Sequence, residues 1–255
     1  ITMNGLLIVT LAIFAAGAYA APAISAEDQV HNYLVRFGYA AKDDLQNRAS
    51  LSDAIKKLQK MANVPETGVI DEATIEFTKK PRCGVADYEN GKQRYHAYKA
   101  WSKRDLTYSI GTGTSYITQK QYEDYFAAAL GVWGPYGALS FTRVYNESEA
   151  DIVSYFGSHN HGDGYPFDGP DGTLAHAFFP DDGDIHFDLS EKWDLEGKEG
   201  FYDFYSVAIH ELGHSMGLGH SNVKEAIMYP AYMGGGRDRL HDDDYDGMMR
   251  LYYNR

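Results

Sequence analysis

The segment HELGHSMGLGH, residues 210–220, constrains this chain more than any other stretch. His210 and His214 are four positions apart, so on a helix both rings leave one face, one turn from each other. Two imidazoles so placed can take two corners of a metal tetrahedron. Glu211 points slightly round the helix, where its carboxylate reaches a water on the metal rather than the metal itself. Gly217 lets the backbone leave the helix with a positive φ, and the turn returns His220 as a third ligand. Three imidazoles leave a fourth position to water, the pattern of a catalytic rather than a structural zinc. HExxH alone also arises as a solvated charged helix face. The longer run, with a glycine where the geometry needs one, is far more specific.

The charge of the chain supports a cation-binding role for the same half. Residues 1–94 hold 11 basic and 11 acidic side chains, whereas residues 95–255 hold 12 and 25, so the net charge of −13 lies entirely in the second part. Such an excess of acid disfavours nucleic acid as a partner and suits oxygen ligation of hard cations. Residues 161–191 are rich in Gly, His and Asp, and burying so many polar groups is costly unless metals hold them. His161, Asp163, His176 and His186 supply three nitrogens and one oxygen with no position left open, which fits a structural zinc. The carboxylates of Asp168, Asp188 and Glu191, with backbone oxygens of Gly169, Asp171 and Thr173, would form a calcium cage.

The chain opens with an apolar run, residues 6–16, followed by Ala18-Tyr19-Ala20, which reads as a secretory signal over residues 1–20. No later stretch approaches membrane-span length, so a secreted soluble monomer without a membrane anchor is expected. One cysteine, Cys83, excludes an intrachain disulfide. Its thiol is open to three readings: pairing with another chain, burial as a small apolar residue, or metal ligation. Helical spacing of Val30, Leu34 and Phe37, then of Leu51, Ala54, Ile55, Leu58 and Met61, predicts two helices. Asp71 is placed to cap a third, holding Ile75 and Phe77. Further on, Thr118 and Gln121 form a capping box for a helix ended by Gly134-Pro135. Strands are expected over residues 101–110, 139–142, 150–156 and 174–178, and Asp242, Asp243 and Asp244 are expected to N-cap a last helix.

The long histidine motif, followed by Ala226-Ile227-Met228-Tyr229-Pro230, resembles the metzincin zinc endopeptidases. Ser221, directly after His220, resembles the matrixins, the matrix metalloproteinases, rather than astacins or adamalysins. The resemblance implies an α+β fold: a metzincin catalytic domain with a twisted, mostly parallel five-stranded sheet and three helices, preceded by a small three-helix pro-domain. Domains then run 1–20 (signal), 21–94 (pro-domain) and 95–255 (catalytic). By the same resemblance Met228 is the apolar floor beneath the imidazoles. Ser206, Pro230 and Tyr232 line the main specificity pocket. The strand carrying Ala175 and Ala177 is an edge that pairs with substrate. Residues 81–87, PRCGVAD, are similar to the family's cysteine switch, with Ala86 where the family usually has proline. Cys83 would then occupy the open zinc position in a latent form, held by an Arg82–Asp87 pair, and its replacement would give a constitutively active precursor.

The function implied is a secreted zinc endopeptidase made as a zymogen. It would use two zinc ions and at least one calcium and act on extracellular matrix or other extracellular proteins. An activating protease cutting near Arg94 and a protein inhibitor are the expected partners. Shorter spacing between His176 and His186 than is usual in the family, and Tyr116 in place of an acid, imply fewer calcium ions than the common pattern. The rest of the chain is similar to the minimal, matrilysin-like layout without a hemopexin-like propeller. A competing reading is an extracellular scaffold with a structural zinc and a polysaccharide-gripping helical module.

Overall fold

The computed structural model describes residues 24–89, 92–93 and 98–253. The expected signal segment, most of the basic linker before residue 95 and the two C-terminal residues lie outside them. The first helices form where the sequence supplies both a cap and an apolar stripe. Ser25 caps α1 (Ala26–Arg36), Asn47 caps α2 (Arg48–Ala62) and Asp71 caps α3 (Glu72–Thr78), each accepting from a backbone N–H in the first turn. Val30, Leu34, Ile55, Leu58 and Met61 are at most 2% exposed and share one core. Burying each such side chain contributes roughly 1.5–3 kcal/mol. That core is not closed by the helices alone: Tyr229 and Ala231, from far along the chain, complete it.

After α3 come three short strands, β1 (Arg82–Cys83), β2 (Tyr88–Glu89) and β3 (Lys92–Gln93), the last two forming a small hairpin. β4 (Asp105–Ile110) then leads into α4 (Gln119–Gly137), β5 (Ser140–Arg143), β6 (Ile152–Gly157), β7 (Thr173–Ala177) and β8 (Ile185–Asp188). Two-residue strands β9 (Trp193–Asp194) and β10 (Tyr202–Asp203) pair in parallel ahead of α5 (Phe204–Ser215), and α6 (Asp242–Tyr252) ends the order. The main sheet runs β1-β7-β8-β6-β4-β5. Its pairs are parallel except β7 with β8. An apolar core of Trp133, Phe126, Phe187, Phe204 and Ile209 fills the space between this sheet and the helices.

The five expected strands and three helices of the larger unit are present, with three corrections. The sheet gains a sixth strand, because Arg82 pairs with Thr173 and Cys83 with Ala175. β7 is therefore covered on its outer side rather than free, and all five of its residues are buried. α4 continues past Gly134-Pro135 to Gly137, where Ala138 takes a left-handed turn with φ 49°. Residue 131, four before the proline, is itself glycine. Finally, His241 rather than an aspartate caps α6, with Asp244 as the reciprocal partner of the capping box.

Candidate metal centre and its latch

α5 carries His210, Glu211 and His214, all buried, and Asp203 caps its start by accepting from the N–H groups of Tyr205 and Ser206. Gly217 has φ 103°, and a Cβ there would meet the Lys99 carbonyl at 2.0 Å. Both the left-handed turn and the close backbone approach thus require glycine. The turn swings His220 back so that its Nε2 lies 3.0 Å from His214 Nε2 and 3.3 Å from that of His210.

Hydrogen bonding fixes the state of these rings. His210 Nδ1 donates to the Ile227 carbonyl (2.7 Å), His214 Nδ1 to that of Leu218 (2.7 Å), and His220 Nδ1 to the Asp87 carboxylate (2.6 Å). With the proton of each neutral ring committed to Nδ1, three Nε2 lone pairs converge with no proton between them, an arrangement that repels unless a cation sits there. Ligand nitrogens on a tetrahedral zinc lie about 3.3 Å apart, given Zn–N near 2.0–2.1 Å. The donor set and its spacing therefore fit that ion. Burial and the nearby His220 lower His210 to about 3, so it stays neutral.

Cys83 completes the group: its Sγ and the three imidazole nitrogens lie within 4.8 Å of one another. Sγ is 3.4 Å from His214 Nε2 and 3.4 Å from Glu211 Oε2. Glu211 is fully buried and its Oε1 has no hydrogen-bond partner. Burial pushes its carboxyl up to about 8. Beneath the rings Met228 packs against the helix, and a Cβ on Gly213 would meet its Sδ at 2.2 Å. Asp244 holds that turn by accepting from the N–H groups of Ile227 (2.8 Å) and Met228 (3.0 Å). Asp244 thus has a structural task inside the fold.

The segment bearing Cys83 is gripped from both sides. Arg82 N–H donates to the Gly172 carbonyl and Gly84 N–H to that of Ala175, while Cys83 N–H donates to Pro230 and Tyr232 N–H to Pro81. Gly84 is needed here, since a Cβ would meet Thr173 Cγ2 at 2.7 Å. The expected Arg82–Asp87 pair is present as a fork with both N–O distances 2.9 Å, each residue at most 2% exposed. Burial opposes ionisation of Asp87, but Arg82 and His220 outweigh it and hold the carboxyl below its usual range. The helical module adds partners that the sequence did not announce. Tyr39 donates to Asp87 (2.6 Å), Tyr33 hydroxyl accepts from Arg82, and the guanidinium carbon stacks 3.6 Å over Phe37. Their contacts with Arg82 and Asp87 span 45–49 positions, which no local pattern reveals.

A second group, His161, Asp163, His176 and His186, is brought together as expected. Asp163 Oδ2 lies 2.9 Å from His161 Nε2, 2.6 Å from His176 Nε2 and 2.8 Å from His186 Nδ1. Burial and the adjacent imidazoles lower His176 to about 4. Beside it, the loop of residues 168–173 turns back through Gly169, Asp171 and Gly172, all with positive φ. Asp188 and Glu191 are at most 2% exposed, and each has a carboxylate oxygen without a hydrogen-bond partner. Burial and neighbouring carboxylates push Glu191 up to about 8 and raise Asp188. Buried, mutually repelling acids with free lone pairs fit a hard cation. Asp168 is engaged differently from expectation: its Oδ2 takes an ion pair of 2.8 Å from Arg36 in α1, and Arg36 also donates to Thr173 Oγ1 (2.6 Å). Asp171 Oδ1 accepts from Tyr202.

A pH test follows for the protein stripped of cations. A carboxyl raised in the fold binds more protons folded than unfolded between its ordinary value of 4.5 and about 8. Stability of the stripped form is therefore expected to fall as pH rises through that window, and calcium is expected to abolish the slope. Thermal melts at pH 5, 6.5 and 8, with and without calcium, read this out. A stripped protein equally stable at all three would contradict the cage.

Next to Glu211 lies a cleft whose lining includes Ser206, Val207, Ile227, Pro230 and Tyr232. Ser206, Pro230 and Tyr232 thus share one cleft. Ala175 and Ala177 are buried on β7, where Ala175 pairs with Cys83 of the neighbouring strand. The small Ser206 does more than leave space, since its hydroxyl donates to Asp203 (2.6 Å).

Residues 100–253 match the family model described as Matrixin, and residues 28–77 one described as a putative peptidoglycan binding domain. Matrilysin from Rattus norvegicus is 38% identical over 233 residues, covering 89% of this chain and 86% of that protein. Matrilysin from Homo sapiens is 39% identical over 233 residues, with the same coverage. Matrix metalloproteinase-2 from Drosophila melanogaster is 39% identical over 256 residues and 89% of this chain, but the chain spans only 34% of that relative's length. A match across the whole metal-centre unit, joined to near full-length identity with matrilysins, places this chain in the matrixin family of metalloendopeptidases.

Proposed function

We propose that this chain is the latent precursor of a secreted, zinc-dependent endopeptidase that cleaves extracellular proteins, matrix components among them. One observation carries the reading: three imidazole lone pairs and the Cys83 sulfur converge beside a buried, half-satisfied Glu211. A zinc ion held by His210, His214 and His220 would lower the pKa of water and polarise a peptide carbonyl. Everything else is done by the chain. Glu211, fixed on α5 one residue from the first ligand, takes a proton from water and returns it to the leaving amine. Its high proton affinity in the buried state suits a base that must hold that proton between the two events.

An extended substrate replaces the Cys83 segment. That segment lies parallel to β7 and bridges in the antiparallel sense to Ala231, so the cleft has a backbone ladder on either wall for any strand that enters. Ala175, Ala177, Pro230 and Tyr232 shape those walls, and Met228 supports the rings. Residues 21–94 serve as the pro-domain, with Cys83 blocking the fourth position until a protease cuts between residues 90 and 95. Among the described residues no helix is long and apolar enough to cross a membrane. The group around Asp163 holds a structural zinc, and Asp168, Gly169, Asp171, Thr173, Asp188 and Glu191 hold calcium. The mature enzyme is a monomer open to a protein inhibitor at the same cleft.

The test is hydrolysis of an internally quenched peptide by the cut protein, with and without a zinc chelator. Chelator-sensitive cleavage at an internal bond is expected. A cut, zinc-loaded protein that leaves every peptide of a mixed library intact would favour the scaffold reading.

A further inference from the structure

Arg237 is a cation without a carboxylate partner, and it lines the cleft beside Glu211. Its Nη1 donates to the Ala226 carbonyl (3.2 Å) and its Nη2 to that of Lys224. Among the described residues no acid lies within ion-pair distance of it. A guanidinium carries five N–H donors in a fixed fork and is always charged, so donors remain available. Burial lowers its pKa, offset only in part by Asp244 and Glu225. The rest of the lining here is mostly apolar, from Leu174, Val207, Ile227 and Tyr232.

The backbone around Arg237 is tied to the catalytic helix. Arg237 N–H donates to Ser206 Oγ (3.0 Å), Ser206 Oγ donates to Asp203 Oδ2 (2.6 Å), and Gly236 N–H donates to the same oxygen (2.9 Å). Asp203 also caps α5, so one buried carboxylate fixes both the helix that carries Glu211 and the loop that carries Arg237.

We propose that Arg237 is a specificity-determining residue, selecting substrate side chains with an apolar stem that ends in a carboxylate or amide oxygen. A Glu or Gln side chain lays its methylenes along the apolar wall and offers its oxygen to the free N–H groups. A Leu side chain fills the same wall but leaves those donors without a protein partner. A site built to hydrogen-bond a polar group discriminates against an analogue lacking it more strongly than an apolar pocket discriminates by size. Ser206 and Asp203 are positioning residues that hold the cation at this depth.

The inference rests on the peptidase reading, and the experiment separates the two. The full chain is cut to its active form and supplied with peptides varied one position at a time around the scissile bond. At the position facing this cleft, the kcat/KM ratios of Glu to Leu and of Gln to Leu are measured. Arg237→Leu is expected to lower both ratios about tenfold, the effect of one charge-assisted hydrogen bond. Arg237→Lys, which keeps the loop's charge, is expected to hold the Glu ratio in low salt while the Gln ratio falls. Wild-type cleavage with ratios unmoved in both folded variants would overturn the role of Arg237 and leave the peptidase reading standing. A wild-type protein that cuts no peptide would overturn both.

Discussion

Replacing Glu211 with glutamine is expected to abolish most peptide hydrolysis while leaving zinc content unchanged. The amide has the carboxylate's shape but cannot accept a proton from water, and positioned general bases contribute typically 10²–10⁴-fold. A fall in kcat of about that size is expected. In the precursor the three ligands need nothing from Glu211, because their Nδ1 atoms are held by Ile227, Leu218 and Asp87. Stability gives an independent check. Glu211 is fully buried with one oxygen unpartnered, and its carboxyl is raised to about 8. A raised acid costs stability increasingly as pH climbs from its ordinary 4.5, so the metal-free glutamine variant should match wild type in acid and exceed it at pH 8. Steady-state rates, bound zinc and paired melts decide the matter. Undiminished activity in the glutamine variant would remove Glu211 from the mechanism.

The second large effect is expected from Arg82→Ala in the uncut precursor. Arg82 is 2% exposed and joins six groups: both Asp87 oxygens, the Cys83 and Val85 carbonyls, the Tyr33 hydroxyl and the Phe37 face. Removing it leaves the Asp87 carboxylate buried without its countercharge. Truncating one member of a buried ion pair costs about 3–5 kcal/mol. That shifts the equilibrium between docked and open latch by roughly 10² to 10³ or more. The uncut variant should therefore hydrolyse peptide at a rate near that of the cut enzyme. Cys83→Ser is expected to do less than the sequence suggested. A hydroxyl is the weaker metal ligand, but β1, the Arg82–Asp87 fork and the contacts to Gly172, Ala175 and Pro230 remain and still fill the cleft. Initial rates of the two uncut variants, ranked against wild type, test this order. A folded but silent Arg82→Ala precursor would show that the fork does not hold the latch.

The parts of this molecule that the sequence discloses are those whose physics is local. Four-residue spacing placed His210 and His214 on one helix face, and Gly217 announced the turn that its φ of 103° fulfils. The same holds for the caps Asp71 and Thr118 and for the crowding of His161, Asp163, His176 and His186 into one loop system. The end of α4 was misplaced because a Gly-Pro pair reads as a stop, whereas a proline with glycine four residues earlier fits the last turn. What stayed hidden depends on pairs distant in the chain. Tyr33 and Tyr39 meet Arg82 and Asp87, Arg36 meets Asp168, and Asp244 meets the Met228 turn. Hydrophobic period and turn chemistry carry no record of such pairings. They decide instead how tightly the two modules hold each other.

Because the Cys83 segment is laddered to β7 on one flank and to residues 230–232 on the other, severing the backbone beyond Asn90 would not by itself empty the groove. The freed leader, still docked through a shared core with Tyr229 and Ala231, would linger as a competitor held by those contacts alone. Opening would then come in two stages, a fast nick and a slower departure. Dilution, or further trimming of the leader, would govern the second stage more than the first protease does.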